Sequence, residues 1–298
     1  MIRVLALLAA ILAAAFAVQG SQATFTASKS NPGSSFTTTA NFPPALTLTA
    51  PAAAAVTNGL PTLSGAAGNS AADSATVNVK IYSGPTATGT AVQSKAVART
   101  TITWTWTLTT ALASGTYTAQ ATQTDGVNTT TTAAVTFTVD ATKPTASAVV
   151  AANKAGGTAG KIESGDTITY TYSEPITAAS VWSGWSGASA TVRVRFTDAT
   201  GLDSFTVLDA ASAANVKLGK VAAKGNYVSA NTTFDSTMVR SADGASIVVT
   251  LGTPSSVQTT AVTAKNMTWT PDPGITDLVG NINATPPSWT ETDTDVDF

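Results

Sequence analysis

Threonine alternates with apolar residues along several short segments, and this alternation restricts the fold of the chain more than any other feature. Residues 103–107 read Thr-Trp-Thr-Trp-Thr, and in 76–82 the apolar side chains Val77, Val79 and Ile81 occupy every second position. Successive side chains of a β-strand point to opposite faces of a sheet, so a period of two buries one face and exposes the other. The sequence therefore predicts half-buried antiparallel strands.

Segments of this kind divide the chain into two β-rich parts. Residues 45–142 contain about seven short segments separated by turn sequences, the strand count of an immunoglobulin-like (Ig-like) sandwich. Residues 143–298 contain further alternating segments, and helix is expected only as a turn or two near 209–214. We predict an all-β protein of tandem β-sandwiches, the first Ig-like and the second an elaborated Ig-like or jelly-roll-like sandwich.

The absence of histidine and cysteine excludes large classes of function. The 298 residues include neither type, so zinc sites built from them, Ser-His-Asp and Cys-His catalysis, and disulfides are excluded. A net charge of −2 gives a nucleic-acid partner no electrostatic attraction. The acids that a carboxylate-based hydrolase could use carry no motif: Glu163, Asp166, Glu174, Asp198 and Asp203. We therefore predict that the protein is not an enzyme.

The first residues have the pattern of an export signal. Arg3 precedes an unbroken apolar run at 4–18, and residues 21–23 (Ser-Gln-Ala) supply the small residues of a cleavage site. The run is shorter than the roughly 20 apolar residues of a spanning helix. We predict a signal peptide at 1–23, no permanent membrane span, and a secreted, cell-surface-associated protein; an uncleaved anchor is the alternative. Residues 24–44 are predicted to form an extended N-terminal arm.

Two segments of the first predicted sandwich are similar to known sequences. Residues 112–119 and 136–140 resemble the last two strands of bacterial Ig-like surface domains, with Tyr117 in the place of their tyrosine-corner residue. The Asp-x-x-Gly-Asn turn of that family is present only in the degenerate form Asp-Gly-Val-Asn at 125–128. The resemblance implies the Ig-like fold and says little about function, because this fold serves many roles.

Other resemblances concern the second part of the chain and its leader. Residues 277–281 resemble the closing turn of another bacterial Ig-like group, whose opening strand ends in a motif like Ser-Glu-Pro at 173–175. Residues 23–28 and 31–37 are similar to exported proteins with SipW-dependent-type leaders, including biofilm-fibre proteins of the TasA and camelysin type and actinobacterial Ig-like surface proteins. That resemblance implies surface or matrix association, and an arm that donates a strand to a neighbouring subunit. An arm without defined structure is the alternative.

Acidic and amide side chains at predicted turns are the candidate metal ligands. Calcium takes oxygen ligands, which the loops of a β-sandwich can supply. Asp140 lies at the predicted junction of the two sandwiches, and Asp125, Asn128, Asp277 and Asn281 occupy turns near the domain ends. We predict no cofactor other than calcium at these residues. The alternative is that the same side chains only bond to the backbone of their own turns.

Two tryptophans form the candidate ligand-binding site. Trp182 and Trp185 lie in a Ser/Gly-rich segment, and indole rings on a sandwich loop can stack on sugar rings. The alternative is that the two rings cover the core, as large aromatic side chains commonly do.

Taken together, these features predict a secreted, non-catalytic structural protein of the cell surface or extracellular matrix, acting in adhesion or assembly. Rigid tandem sandwiches would present loops and edges to their partners, and the arm would exchange a donor strand. The predicted partners are other surface or matrix proteins, cell-wall glycans, or further copies of the chain. The alternative function is a carbohydrate-binding module for cell-wall or extracellular glycans.

Overall fold

The computed structural model describes residues 42–199, 202–256, 258, 262–283, 285–292 and 296–298. The predicted signal peptide and most of the predicted arm lie outside these residues. Strands dominate the described part of the chain, and its single helix has only four residues. The predicted all-β fold class is confirmed. Among these residues, no helix combines the length and apolar character needed to cross a membrane.

Two facing sheets form the first sandwich. Its strands are β1 (Val56–Thr57), β2 (Thr62–Ala66), β3 (Thr76–Ser83), β4 (Gln93–Ala98), β5 (Thr103–Thr107), β6 (Gly115–Thr124), β7 (Thr129–Thr131) and β8 (Val135–Val139). One sheet has the order β1-β8-β6-β3-β4 with β7 beside β6, and β2 pairs with β5 in the other sheet. Residues 47–50 extend the second sheet along the free side of β2, where Thr47 N–H donates to Ala66 O.

The side chains that the period-two pattern predicts to face inward are those buried in the core of this sandwich. Trp104 and Trp106 are buried, while the three threonines of β5 are exposed. Val77, Val79 and Ile81 are buried in the opposite sheet. Since a half-buried strand needs only this alternation, the local sequence determines which face of each strand packs inward.

Polar side chains complete the first sandwich at two buried points. The Tyr117 hydroxyl donates to the carbonyl of Ala113, the bond of a tyrosine corner. Gln123 is 1% exposed, and its amide bonds to both backbone groups of Gly68 and to the carbonyl of Ser74. Gln123 therefore holds the segment between β2 and β3 against β6.

One antiparallel sheet of nine strands forms the second sandwich. Its elements are β9 (Ala146–Ala152), β10 (Thr167–Tyr172), α1 (Ala178–Val181), β11 (Ala190–Thr197), β12 (Ser204–Asp209), β13 (Asn215–Ala222), β14 (Thr232–Arg240), β15 (Ser246–Thr250), β16 (Thr268–Thr270) and β17 (Trp289–Thr290). The order is β17-β16-β13-β12-β11-β14-β15-β10-β9, and β9 also lies against β16 and β17. The two ends of the sheet therefore meet around one core.

The expected helical turn near 209–214 is wrong. These residues connect β12 to β13 in a tight turn, in which the Asp209 carboxylate accepts the N–H of Ala213 at 2.8 Å. A bond from an Asp side chain to nearby backbone N–H groups favours a turn over a helix. The described helix, α1, lies in the connection between β10 and β11 instead.

Aromatic side chains fill the core of the second sandwich. Trp269 has no exposed surface, and its indole N–H donates to the carbonyl of Leu218 at 2.6 Å. Tyr170 and Tyr172 meet the indole edge-on, with ring centroids 5.2 and 5.1 Å away. Edge-on contacts of this kind stabilise a core beyond the burial of area alone.

A second aromatic group surrounds Phe298. The Phe298 ring is 1% exposed and packs edge-on against Phe196, Phe205 and Tyr227. The Phe298 carbonyl accepts the N–H of Gly160. Phe298 is thus part of the core.

Candidate cation site at the junction of the two sandwiches

Three carboxylates meet where the first sandwich passes into the second. Asp140 directly follows β8, Glu174 follows β10, and Asp277 lies between β16 and β17. One oxygen of each lies within 4.8 Å of the others. The fold therefore brings together two of the predicted calcium ligands, Asp140 and Asp277, and adds Glu174.

A self-bonded turn positions Asp277, which is only 2% exposed. Its Oδ1 accepts the backbone N–H groups of Val279 and Asn281 at 2.9 and 2.8 Å. Its Oδ2 accepts the Asn281 side-chain amide at 2.8 Å. These bonds hold the carboxylate in one orientation, as in an Asx turn.

The same turn ties the two sandwiches together. The Asn281 amide also donates to the backbone carbonyl of Asp140 at 2.8 Å. On the other side of the junction, the Asn58 amide donates to the carbonyl of Val279 at 3.3 Å. Asn281 thus contributes its amide N–H groups to the joint, and its role as a metal ligand stays a prediction.

Glu174 is the member of the cluster with a buried, unbonded carboxylate oxygen within the described residues. Its Oε1 is inaccessible to water and has no hydrogen-bond partner among the residues that the structure describes. Burial raises the pKa of the Glu174 carboxyl above its usual value, and the negative charges of Asp140 and Asp277 raise it further. A raised pKa means that the folded chain disfavours the ionised acid. A cation among the three carboxylates would remove that penalty.

The donor set is that of a hard divalent cation. The cluster borders a cavity of about 270 Å³ that is also lined by Val56, Pro175 and Leu278. Carboxylate and carbonyl oxygens are the ligands that Ca²⁺ takes, and the buried unpaired Oε1 of Glu174 is an available acceptor. The residues at the junction therefore fit calcium.

The other predicted calcium residues form a separate turn. Asp125 Oδ1 accepts the N–H groups of Val127 and Asn128 at 2.8 and 2.6 Å, and Oδ2 accepts the Asn128 amide at 2.9 Å. Bonds from Asn128, first from its side chain, lower the pKa of the Asp125 carboxyl. Neither residue belongs to the three-carboxylate cluster, and their role in calcium binding stays a prediction.

The two candidate glycan-binding tryptophans differ in exposure. Trp185 is 7% exposed, and its indole N–H donates to the carbonyl of Ala188 at 2.6 Å. Trp182 is half-buried and packs against the core. Their loop encloses a shallow cavity of about 250 Å³. Stacking on a sugar needs an accessible ring face, so Trp182 is the residue of this pair that can offer one.

Sequence reasoning did not assign Glu174 or Asn58 to the junction. Glu174 was only one of several acids without a motif, although its Ser-Glu-Pro context marked the end of a strand. Asn58 carried no signal, because its partner Val279 is 221 positions away. Such pairings depend on how the two sandwiches pack, which local patterns do not report.

The fold defines an all-β protein whose first sandwich is Ig-like. Residues 49–141 match the model of one family, the bacterial Ig-like domain. Domains of this family are typical of bacterial surface proteins, and the match supports the predicted Ig-like first domain. It covers about a third of the chain. No curated protein matches the chain.

Solved structures show only distant likeness. Dimeric latent PorU from Porphyromonas gingivalis is 14% identical with a TM-score of 0.25, and Escherichia coli alpha-2-macroglobulin activated by porcine elastase is 11% identical with 0.23. In both cases the match covers 74% of this chain, which spans only 20% of the other. A structure described as BspA_C_WT is 11% identical with a TM-score of 0.27, covering 82% of this chain and 94% of that one. TM-scores this low support no inference about function.

Proposed function

We propose that the protein is a secreted, non-catalytic component of the cell surface or matrix, acting in adhesion or assembly. The observation that supports this is the tied junction. Asn281 bonds to the Asp140 carbonyl and Asn58 to the Val279 carbonyl, and residues 43–298 form one compact unit. Tandem domains usually move relative to one another unless their interface is well bonded. A tied pair of sandwiches suits a rigid spacer that presents edges and loops.

Assembly through the N-terminal arm is the proposed mechanism. Residues 24–42 would extend from one copy and add a strand to the next. We expect light scattering and electron microscopy of residues 24–298 to show fibres or higher oligomers, and a chain beginning at Pro43 to form neither. Monomers from both chains would contradict assembly by the arm and favour the carbohydrate-binding alternative, which the cavity beside Trp182 supports.

Calcium at the junction is the proposed stabiliser of the spacer. A ligand that binds only the folded state raises stability by mass action, about 2.7 kcal/mol at a hundredfold excess over Kd. We expect millimolar Ca²⁺ to raise the melting temperature of the chelator-treated protein by about 5 °C or more. In Glu174→Gln most of this rise should be lost, whereas Asp198→Asn, which changes an exposed acid outside the cluster, should keep it. Equal rises in both variants would contradict a site at the junction.

A further inference from the structure

Within the described part of the chain, β5 pairs with another strand, β2, along only one side. Leu108 N–H donates to the carbonyl of Pro61, and Ala67 N–H donates to that of Ile102. Bonded and non-bonded pairs alternate in an antiparallel ladder. Every second residue from Ile102 to Leu108 therefore bonds to β2, and the threonines between them direct N–H and C=O to the opposite side.

Two of these threonines have free backbone groups. Thr103 is engaged, since it exchanges both bonds with Thr100 in the turn that leads from β4. Thr105 and Thr107 have no backbone partner on this side among the described residues, and both are exposed. The outer side of β5 thus offers two donors and two acceptors in an extended conformation.

This edge lacks the protection that other edges of the described chain possess. An edge strand is usually blocked by charge, by proline, by very short length or by closure of the sheet. The edge strand β4 carries the charge of Lys95, and the edge strand β1 has only two residues. In the second sandwich, the edge strands β9 and β17 pack against each other. The sequence of β5 contains neither a charged residue nor proline.

We propose that β5 is a self-association surface, which pairs antiparallel with β5 of a second copy across a twofold axis. With Trp106 at the axis, Thr105 of each copy would exchange both backbone bonds with Thr107 of the partner subunit. Four hydrogen bonds form in this register, and they use every free backbone group that Thr105 and Thr107 contribute. The edge is therefore complementary to itself, as a closed dimer requires.

The side chains continue across the same axis. Within one copy the hydroxyls of Thr62 and Thr107 are 2.8 Å apart, and Ser64 stands opposite Thr105. Pairing Thr105 with Thr107 of the partner subunit would place two such pairs side by side. Each row would then run from Ser64 through Thr105 and Thr107 of the partner subunit to Thr62 of the partner subunit, four residues that all carry hydroxyls. Cross-strand pairs of threonine and serine stabilise sheets, and no like charges meet along the axis. This continuity favours a second copy over an unrelated strand.

Such pairing would be weak in solution and effective on a crowded surface. Each of its few backbone bonds contributes only about 0.5–1.5 kcal/mol net. Copies held at one surface meet at a high effective concentration, so weak contacts add up. The inference goes beyond the proposed function, because it needs neither the arm nor calcium.

Sedimentation velocity over a wide concentration range tests the proposal on residues 24–298. We expect reversible association, weakened at least about tenfold in Thr105→Pro, which removes one bonding N–H and obstructs the edge. Thr105→Lys should weaken the association similarly, because it places like charges near the axis. This second variant keeps the test valid if the proline variant does not fold. Thr138→Lys, at an exposed position of β8, should associate like the unchanged chain.

Two results would overturn the proposal: no association of the unchanged chain up to millimolar concentration, or equal association of folded Thr105 variants. A third, association that the Thr105 changes leave intact but that is lost when the chain begins at Pro43, would identify the arm as the interface instead. Conversely, dimers that persist without the arm while larger oligomers vanish would support both proposals separately.

Discussion

Trp269→Ala is expected to destabilise the second sandwich by about 3–5 kcal/mol, the cost of truncating a fully buried tryptophan. The change removes the ring that Tyr170 and Tyr172 meet edge-on and leaves the buried carbonyl of Leu218 without its indole donor. Both effects lower the free energy of unfolding. The residues around the missing ring lose packing contacts, and a buried acceptor loses its hydrogen bond. Urea unfolding followed by circular dichroism measures the loss.

Trp182→Ala is the matched control for this prediction. Trp182 is half-buried at the border of the same core, so its truncation should cost clearly less than that of Trp269. Equal losses for the two variants would show that the aromatic contacts around Trp269 do not dominate the stability of this core.

Gln123→Ala is expected to destabilise the first sandwich by about 3 kcal/mol or more. Two buried bonds with the backbone groups of Gly68 and one part-buried bond to the carbonyl of Ser74 are lost together. Each buried polar group left without a partner costs about 1–3 kcal/mol. Hydrogen exchange should show faster exchange in β3 and β6, with little change in the separate core around Trp269.

Gln120→Ala provides the comparison within the same strand. Gln120 is half-buried and makes one bond, to the carbonyl of Thr132, so the expected loss is about 1 kcal/mol. If Gln123→Ala cost no more than Gln120→Ala, the segment between β2 and β3 would have to be held by contacts other than the Gln123 amide.

The candidate site was only partly predictable. The position of Asp140 at the predicted junction and of Asp277 in a turn near a domain end predicts both as ligands, and the fold places both in one cluster. Asp125 and Asn128 satisfied the same local criterion but bond to one another in their own turn. A turn sequence indicates which side chains are exposed to a ligand or to nearby backbone. It carries no information about which second turn will lie beside it.

The sequence by itself determined the strands and their inward faces. The alternation of Thr103–Thr107 and of Val77, Val79 and Ile81 acts over neighbouring residues, and a period of two has the same consequence in any sheet. Tertiary structure alone decided the partners. Which strands become neighbours decides that Glu174 meets Asp140 and that Phe298 packs against Phe196. It also decides that the outer side of β5 stays free within the described residues. The pairing of strands depends on the burial of apolar surface summed over the whole chain. Distant segments compete for the same partner strands, and no local pattern tells which of them pairs best.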